Sequence, residues 1–198
     1  IEGNKDQVNV DIMIDKKEKV KVNQITIDGN TVLNDKKLKR VMKKTNEKNK
    51  LVNLFRTKKF IEEKYEEDKQ LIIDKYNELG YRDAQIVIDS ITPFDDRTVN
   101  VYMRIEEGNK YYLRNIDWVG NTVYNSNYLA AKLMMKKGDV YNQKLLNERL
   151  SQDEDAIGND YYNQGYVFYN LDPVEVNIVG DSIDLEMRIM EGPQATIN

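Results

Sequence analysis

An internal repeat constrains the fold of this sequence more than any other feature. Three motifs occur twice and in the same order: QITIDGNTVLN at 24–34 and NIDWVGNTVYN at 115–125, YNELGY at 76–81 and YYNQGY at 161–166, and MRIEEG at 103–108 and MRIMEG at 187–192. Self-similarity of this kind is the signature of tandem structural units. We therefore expect two copies of one domain.

A third, partial copy opens the chain. The segment VNVDIMIDKK at 8–17 matches VNVYMRIEEG at 99–108, which closes the first full copy. The repeats predict that residues 1–20 are the C-terminal hairpin of a preceding copy, that residues 21–110 are one domain with a basic insertion near 43–59, and that residues 111–198 are a second domain. The chain is then one stretch of a longer tandem array.

Composition excludes most catalytic chemistry. The 198 residues include no His and no Cys, so a catalytic triad, a thiol nucleophile, a disulfide and the common zinc sites are all excluded. A formal net charge of −4 argues against a nucleic-acid partner, because nucleic-acid binding requires a basic surface. No apolar run reaches the roughly 20 residues of a membrane helix. We expect no enzyme activity, no metal and no cofactor.

Hydrophobic spacing predicts the element order β-α-α-β-β in both copies. In the first copy, Val22–Asp28 alternates as a strand, Asn34 is suited to cap a short helix, and a longer helix is predicted over 59–79. A loop at Pro93–Arg97 is predicted between the last two strands. In the second copy the long helix is predicted as one element that ends at Gly165. The fold class is α+β, with two helices covering one face of a three-stranded sheet.

This pattern resembles the POTRA (polypeptide-transport-associated) domain. The resemblance rests on Gly-Asn after the first strand, Gly-Tyr after the second helix and Glu-Gly closing the third strand, and it covers essentially the whole chain. It implies a mixed sheet in which the last strand is central and the penultimate strand is an edge. It also implies a place in the periplasmic arm of a BamA-type outer-membrane assembly factor of a Gram-negative cell, tethered to the outer membrane through the intact chain.

The penultimate strands are the candidate binding sites, because an edge strand has unpaired backbone groups on its outer side. An extended guest can pair with such an edge largely independently of its sequence. The predicted edge residues are Gln85, Ile86, Val87, Ile88 and Asp89 in the first copy and Val174, Glu175, Val176, Asn177, Ile178 and Val179 in the second. The alternative is that a neighbouring domain covers these edges or that they are not used.

The segment from Lys36 to Lys59 is strongly basic in an otherwise acidic chain. It holds eleven Lys or Arg residues and one acidic residue, Glu47. The apolar residues in the part that the second copy lacks are Leu51, Val52, Leu54 and Phe55. They are a candidate contact patch for a partner, next to charge that suits acidic proteins or anionic headgroups. The alternative is a solvated loop that folds back onto its own domain.

Four carboxylates that recur between the copies are interpreted as structural. Asp68 and Asp153 are assigned the same helix position, where a partly buried carboxylate needs a backbone or hydroxyl donor. Glu107 and Glu191 close the third strands, and we assign them to the domain junctions.

The resemblance implies a periplasmic scaffold or chaperone arm that binds unfolded outer-membrane β-barrel proteins by strand addition. Its expected partners are those proteins, accessory lipoproteins of the assembly complex, neighbouring POTRA domains and a C-terminal membrane β-barrel in the intact chain. The first alternative is the POTRA pair of a two-partner-type secretion pore, which recognises one dedicated exported protein. The second is an enzyme that uses carboxylates at Asp95-Asp96 or Asp153–Asp155.

Overall fold

The computed structural model describes residues 20–48 and 58–195, which form two domains of the same topology. The first domain contains β1 (Lys21–Asp28), α1 (Asp35–Val41), α2 (Glu62–Glu78), β2 (Gln85–Asp95) and β3 (Thr98–Glu106). The second contains β4 (Tyr112–Val119), α3 (Ser126–Leu133), α4 (Gln143–Asn147), a π-helical turn (Glu148–Gln152), α5 (Ile157–Asn163), β5 (Asn170–Val179) and β6 (Ser182–Met190). The hairpin predicted at 1–20 lies outside the described residues, except for its last residue.

Each sheet is mixed and has the last strand of its domain at the centre. The strand orders are β1-β3-β2 and β4-β6-β5. In the first domain, Val101 of the central strand lies opposite Ile25 of its parallel neighbour and opposite Ile91 of its antiparallel neighbour. The predicted α+β class, the central strands and the edge strands are confirmed.

The helices cover one face of each sheet because alternate residues of the central strands are apolar. The buried residues of this pattern are Val99, Val101, Met103 and Ile105 in β3 and Ile183, Leu185, Met187 and Ile189 in β6. In the first domain, Tyr65, Ile72 and Tyr76 of α2 pack onto this face and are fully buried. Burying one large apolar side chain contributes about 1.5–3 kcal/mol, so these contacts hold the two layers together. No helix in the described residues is both long and apolar enough to cross a membrane.

The strand β2 is longer than the sequence suggests. The predicted loop at Pro93–Arg97 is wrong, because β2 continues to Asp95 and the turn is confined to residues 96 and 97. Pro93 is tolerated there because β2 is an edge strand, on which a missing N–H need not remove a bond of the ladder. The Asp95 carboxylate accepts a hydrogen bond from the backbone N–H of Arg97 at 2.8 Å and stabilises the tight turn.

The second helix is continuous in the first domain and broken in the second. The prediction of one long helix is wrong there: the π-helical turn ends before Asp153, which is extended (φ −73°, ψ 154°), and α5 begins only at Ile157. Arg149 explains the break, because a buried guanidinium must be paired. It donates to the carbonyl oxygen of Lys132 at 2.8 Å and to the Asp155 carboxylate at 2.7 Å.

Candidate strand-binding edges

In each sheet, one edge strand is covered near its first residues by the segment that connects the helices. In the first domain the segment between the two helices reaches β1, where the backbone N–H of Lys48 donates to the carbonyl oxygen of Val22 at 2.7 Å. In the second domain the equivalent segment bonds both backbone groups of Leu113 in β4. Gly138 N–H donates to Leu113 O at 2.7 Å, and Leu113 N–H donates to Asp139 O at 2.8 Å. The outer backbone groups of β1 and β4 are thus partly paired.

The other edges, β2 and β5, are open on their outer sides. Across residues 20–48 and 58–195, no backbone hydrogen bond joins either strand to a segment outside its own sheet. Apolar side chains are also exposed along them: 39% of Val87 and 44% of Ile88 in β2, and 47% of Val176 and 52% of Val179 in β5. Unpaired backbone beside exposed apolar side chains is the arrangement that accepts a further strand.

A β-bulge interrupts each of the predicted segments. The register of β2 with β3 shifts between Ile86 and Ile88, and the register of β5 with β6 shifts between Glu175 and Asn177. Bulges increase the local twist and limit pairing at an edge. The longest uninterrupted stretches of these strands are 88–93 and 170–175, which overlap the predicted residues only in part.

Asp89 ties β2 to the helix layer. Its carboxylate accepts hydrogen bonds from Tyr65 Oη at 2.6 Å and from Lys69 Nζ at 2.5 Å, both of which belong to α2. Burial, together with this hydrogen bond to Asp89, raises the pKa of Tyr65. A guest on this edge would therefore meet the backbone of Asp89 and not a free carboxylate.

The first domain contacts β5 of the second domain. Arg82, which follows α2, forms an ion pair with Glu175, and its guanidinium lies over the Tyr111 ring, 5.2 Å from the ring centre. The backbone N–H of Tyr111 donates to the carbonyl oxygen of Gly80 at 2.9 Å. Glu175, one of the predicted edge residues, is thus part of the contact between domains, whereas residues 176–179 are exposed.

A cleft of about 290 Å³ lies beside the first half of β5. Its lining includes Leu150, Tyr162, Tyr169, Leu171 and Pro173. Tyr169 is buried, and its hydroxyl has no hydrogen-bond partner among the residues described. Sequence reasoning missed this cleft, because it lies between β5 and the broken second helix and that break was not predicted.

Glu107 and Glu191 fix the turn that follows the first strand of each domain. Glu191 accepts hydrogen bonds from the backbone N–H groups of Thr122 at 2.8 Å and Val123 at 2.9 Å, and from Tyr161 Oη at 3.1 Å. Glu107 makes the equivalent contacts in the first domain. Their assignment to the domain junctions is therefore wrong. These bonds lie within one domain and explain why the Gly-Asn-Thr and Glu-Gly motifs recur together.

These two carboxylates make stability depend on pH. Burial favours their neutral forms, but the hydrogen bonds to their charged forms outweigh it, so the pKa values of Glu107 and Glu191 lie below the ordinary 4.5. Below that value the unfolded chain binds more protons than the folded chain. The stability they contribute is therefore fully present above pH 4.5 and is lost as the pH falls through the folded-state pKa.

Glu191→Gln is expected to flatten the acid dependence of the free energy of unfolding of the second domain. Urea unfolding at several pH values measures this through Trp118, the single Trp of the sequence, which lies in β4. Glu107→Gln is the matched control, because it changes the equivalent group in the other domain. An acid dependence that Glu191→Gln leaves unchanged contradicts the assignment.

Asp68 and Asp153, the helix carboxylates interpreted as structural, both have partners within their own domains. Asp68 is fully buried and accepts from the backbone N–H of Lys44 at 3.0 Å and of Thr45 at 2.5 Å, as predicted. Asp153 does not share its helix position, because it lies in the helix break, where it pairs with Arg149 at 3.1 Å. No group of three or more potential metal-ligating side chains occurs in the part of the chain that the structure describes.

The apolar residues predicted as a partner contact in the basic insertion, Leu51, Val52, Leu54 and Phe55, lie outside the described residues. The flanks of the insertion are described and lie together, since the backbone N–H of Lys58 donates to Asn46 Oδ1 at 2.9 Å. Part of the positive charge is paired within the domain, as between Lys39 and Glu47 at 3.0 Å.

Comparison with known proteins identifies the family. The model of the POTRA family (Surface antigen variable number repeat) matches residues 20–108 and 111–192. The outer membrane protein assembly factor BamA of Neisseria meningitidis is 26% identical over 196 residues, and a putative outer membrane protein assembly factor of Treponema pallidum is 26% identical over 164 residues. These matches cover 98% and 80% of this chain but only 24% and 18% of the relatives, so the chain spans a quarter or less of their length.

Solved structures show the same fold. POTRA3-5 of BamA from Haemophilus influenzae matches with a TM-score of 0.67 and 22% identity, over 88% of this chain and 67% of that chain. BamA from Haemophilus ducreyi lacking POTRA domains 1-3 matches with a TM-score of 0.58 and 17% identity, over 86% of this chain and 29% of that chain. The fold defines a tandem array of small α+β domains, and each domain has one open sheet edge. The chain belongs to the POTRA family, and the resemblance seen in the sequence is confirmed.

Proposed function

We propose that this chain is part of the periplasmic arm of an outer-membrane protein assembly factor and that it binds unfolded β-barrel proteins by strand addition. The observation that carries the proposal is the difference between the two edges of each sheet. β1 and β4 are bonded to the segment between the helices, whereas β2 and β5 are open. The names of the curated relatives support the setting, in which the arm is tethered to the outer membrane through the intact chain.

Backbone pairing suits a factor that handles many different guests. The outer groups of β2 and β5 can bond any extended segment with free backbone N–H groups, so selectivity for sequence is low. The exposed Val176 and Val179 add apolar contact next to the ladder. The cleft beside the first half of β5 offers a partly enclosed position for one guest side chain. Since only the backbone groups of one short strand are involved, binding is weak and transient. Weak binding allows the guest to be released for insertion into the membrane.

The remaining partners belong to the same setting. In the intact chain, residues 21–110 and 111–198 act as two units, and residues 1–20 close a preceding one. The short linker between the two units favours a semi-rigid arm, and the contact of Arg82 with Glu175 adds to it. In this proposal the apolar residues of the basic insertion contact an accessory lipoprotein. A membrane β-barrel completes the intact protein. The chain performs no reaction of its own in this proposal.

An NMR titration with peptides from unfolded barrel proteins tests the proposal, with scrambled peptides of the same composition as controls. The expected result is a set of backbone amide shifts along 85–93 of β2 or 174–179 of β5. Scrambled peptides are expected to produce the same pattern, because backbone pairing is insensitive to side-chain order.

Two results would contradict strand addition with many guests. Shifts confined to the helices, or no shifts at high peptide concentration, refute binding at the open edges. Shifts produced by one peptide but not by its scrambled form show selective recognition, which favours the secretion pore with a dedicated exported protein.

A further inference from the structure

The cleft beside the first half of β5 is lined by uncharged residues. Charged residues make up 32% of the sequence, yet none of those that the structure describes lines the cleft. A charged ligand would lose its hydration there without meeting an opposite charge, which is costly. The lining therefore favours an uncharged ligand.

The polar groups of this lining are mainly side-chain amides. Those of Asn147, Gln152 and Asn170 have no hydrogen-bond partner in the part of the chain that the structure describes. The amide nitrogen of Asn159 donates to the carbonyl oxygen of Asp153 at 3.0 Å, which leaves its amide oxygen as an acceptor. Each side-chain amide offers both donors and an acceptor. Such a set suits a ligand that carries several hydroxyl or amide groups.

Tyr169 adds a buried hydroxyl to the cleft. The residue is 9% exposed, and its hydroxyl has no hydrogen-bond partner among the residues described. Three fully buried tyrosines, by contrast, donate to carboxylates: Tyr65 to Asp89, Tyr76 to Glu107 and Tyr161 to Glu191. A buried hydroxyl without a partner destabilises the fold, and a hydroxyl group of a ligand in the cleft can become that partner.

The cleft also offers an aromatic ring and apolar side chains. Tyr162 is 51% exposed, and its ring meets that of Tyr169 edge-on, with 6.0 Å between the ring centres. The face of an aromatic ring is negative, so it attracts the weakly positive C–H groups on one face of a sugar ring. Leu171 and Pro173 provide apolar surface for a methyl group, such as that of an acetamido substituent.

On the strand side, the cleft is open because a bridge present in the first domain is missing. In the first domain Tyr65 Oη of α2 donates to Asp89 of β2 at 2.6 Å and joins the helix layer to the edge strand. Asp89 lies opposite Met103 of the central strand, and Pro173 lies opposite Met187, which is the equivalent residue. The side chain of Pro173 cannot accept a hydrogen bond, so the helix layer and the edge strand are not joined there.

On the helix side, Gly158 of α5 leaves further space. A Cβ at this position would lie 3.6 Å from the ring of Tyr169 and 3.7 Å from the ring of Tyr162. In the alignment of the YNELGY and YYNQGY motifs, the first copy has Ile73 at this position. The cleft is thus formed by residues particular to the second domain and not by the fold that the two domains share.

We propose that this cleft binds an uncharged saccharide, with a sugar ring against Tyr162 and its hydroxyl groups bonded to the amides of Asn147, Gln152 and Asn170. Its volume of about 290 Å³ is near the lower end of the range for small-molecule sites, which suits a short saccharide. The apolar surface beside the amides favours N-acetylated sugars. The proposal goes beyond strand binding and does not depend on it. A saccharide and the side chain of a guest strand on β5 compete for the cleft.

An NMR titration of this chain with the trisaccharide of N-acetylglucosamine tests the proposal. The expected result is saturable amide shifts, at millimolar ligand, in the segments 147–152, 158–162 and 169–173 that line the cleft. The control ligand is the trisaccharide of glucosamine, which has the same rings but carries ammonium groups in place of acetamido groups. It is expected to bind about 10-fold more weakly, because the lining offers no opposite charge.

Two substitutions test the assigned contacts. Tyr162→Ala removes the exposed ring and is expected to weaken binding of the acetylated trisaccharide about 5-fold. Tyr169→Phe removes only the hydroxyl and is expected to weaken binding about 5-fold as well. It is not expected to lower the free energy of unfolding, because that hydroxyl has no partner in the described part of the protein. Phe94→Ala is the matched control, since Phe94 is an aromatic residue of the first domain with 59% exposure, and it is expected to leave the affinity unchanged.

The absence of saturable shifts at the cleft overturns the proposal, as does an affinity that neither Tyr162→Ala nor Tyr169→Phe reduces. Equal binding of the two trisaccharides overturns the assignment to an uncharged ligand. Cleft shifts that barrel-derived peptides cause and the acetylated trisaccharide does not cause overturn the proposal and assign the cleft to a guest side chain alone. The saccharide titration contains no peptide, so its failure is distinct from a failure of strand binding at β2 and β5.

Discussion

Gly120→Ala is expected to lower the free energy of unfolding of the second domain by about 3 kcal/mol or more. Gly120 has a φ of +88°, where an L-residue costs about 1–2 kcal/mol. A Cβ at this position would also lie well inside 3.0 Å of the carbonyl oxygen of Ile189, in the central strand β6. Because that oxygen belongs to backbone in the middle of the sheet, the added methyl group must displace the strand.

The control is Gly138→Ala. It separates the cost of the contact with Ile189 from the cost of the backbone conformation. Gly138 has nearly the same φ, +89°, but no atom lies within 4 Å of the Cβ position. We expect this variant to lose only the conformational cost of about 1–2 kcal/mol. Urea unfolding followed by Trp118 fluorescence and far-UV circular dichroism measures both losses. Equal losses for the two variants would contradict the role assigned to the contact with Ile189.

Val176→Lys is expected to weaken the binding of barrel-derived peptides about 10-fold, which is about 1.4 kcal/mol. Lysine on an edge strand opposes further pairing, because its charge must be desolvated next to the incoming strand. The substitution also removes an apolar contact beside the ladder. The 47% exposure of Val176 means that the fold itself is expected to tolerate the change.

The matched control is Val119→Lys on the opposite edge of the same sheet. Val119 is 48% exposed and lies at the end of β4, the strand that the segment between the helices covers at its start. We expect this variant to bind peptide as the parent chain does. Fluorescence anisotropy with labelled peptides gives the two affinities. A similar loss in both variants would show a general effect of charge and not a block of the β5 edge.

The repeat, together with the strand-like and helix-like spacing of apolar residues, was enough to predict two copies of an α+β domain. The alternating strand at Val22–Asp28, the helix-capping Asn34 and the helix end at Gly165 are local properties, and the structure has them where the sequence indicates. The central place of β3 and β6 came from the resemblance to the family, since strand order is not a local property.

The parts of the site that the sequence did not indicate depend on contacts between distant residues. Arg149 pairs with Lys132 of α3 and with Asp155 inside the break of the second helix. The spacing of apolar residues along the sequence gives no indication of these contacts. The ion pair of Arg82 with Glu175 joins two domains. The contact of Glu107 and Glu191 with the turn after the first strand could have been predicted. Glu-Gly and Gly-Asn-Thr recur together in both copies, and residues that recur as a set often contact each other.

Amide hydrogen exchange of the open edges tests the central claim most directly. At saturating concentration of a barrel-derived peptide, outward N–H groups along 170–179 of β5 or 85–95 of β2 are expected to exchange about 10-fold or more slowly, since each must now open a hydrogen bond to exchange. Amides of β4 are expected to keep their rates. Of two versions of the peptide, N-methylated at odd or at even positions, one is expected to lose this protection. Saturable binding with unchanged exchange at both β2 and β5 would contradict strand addition.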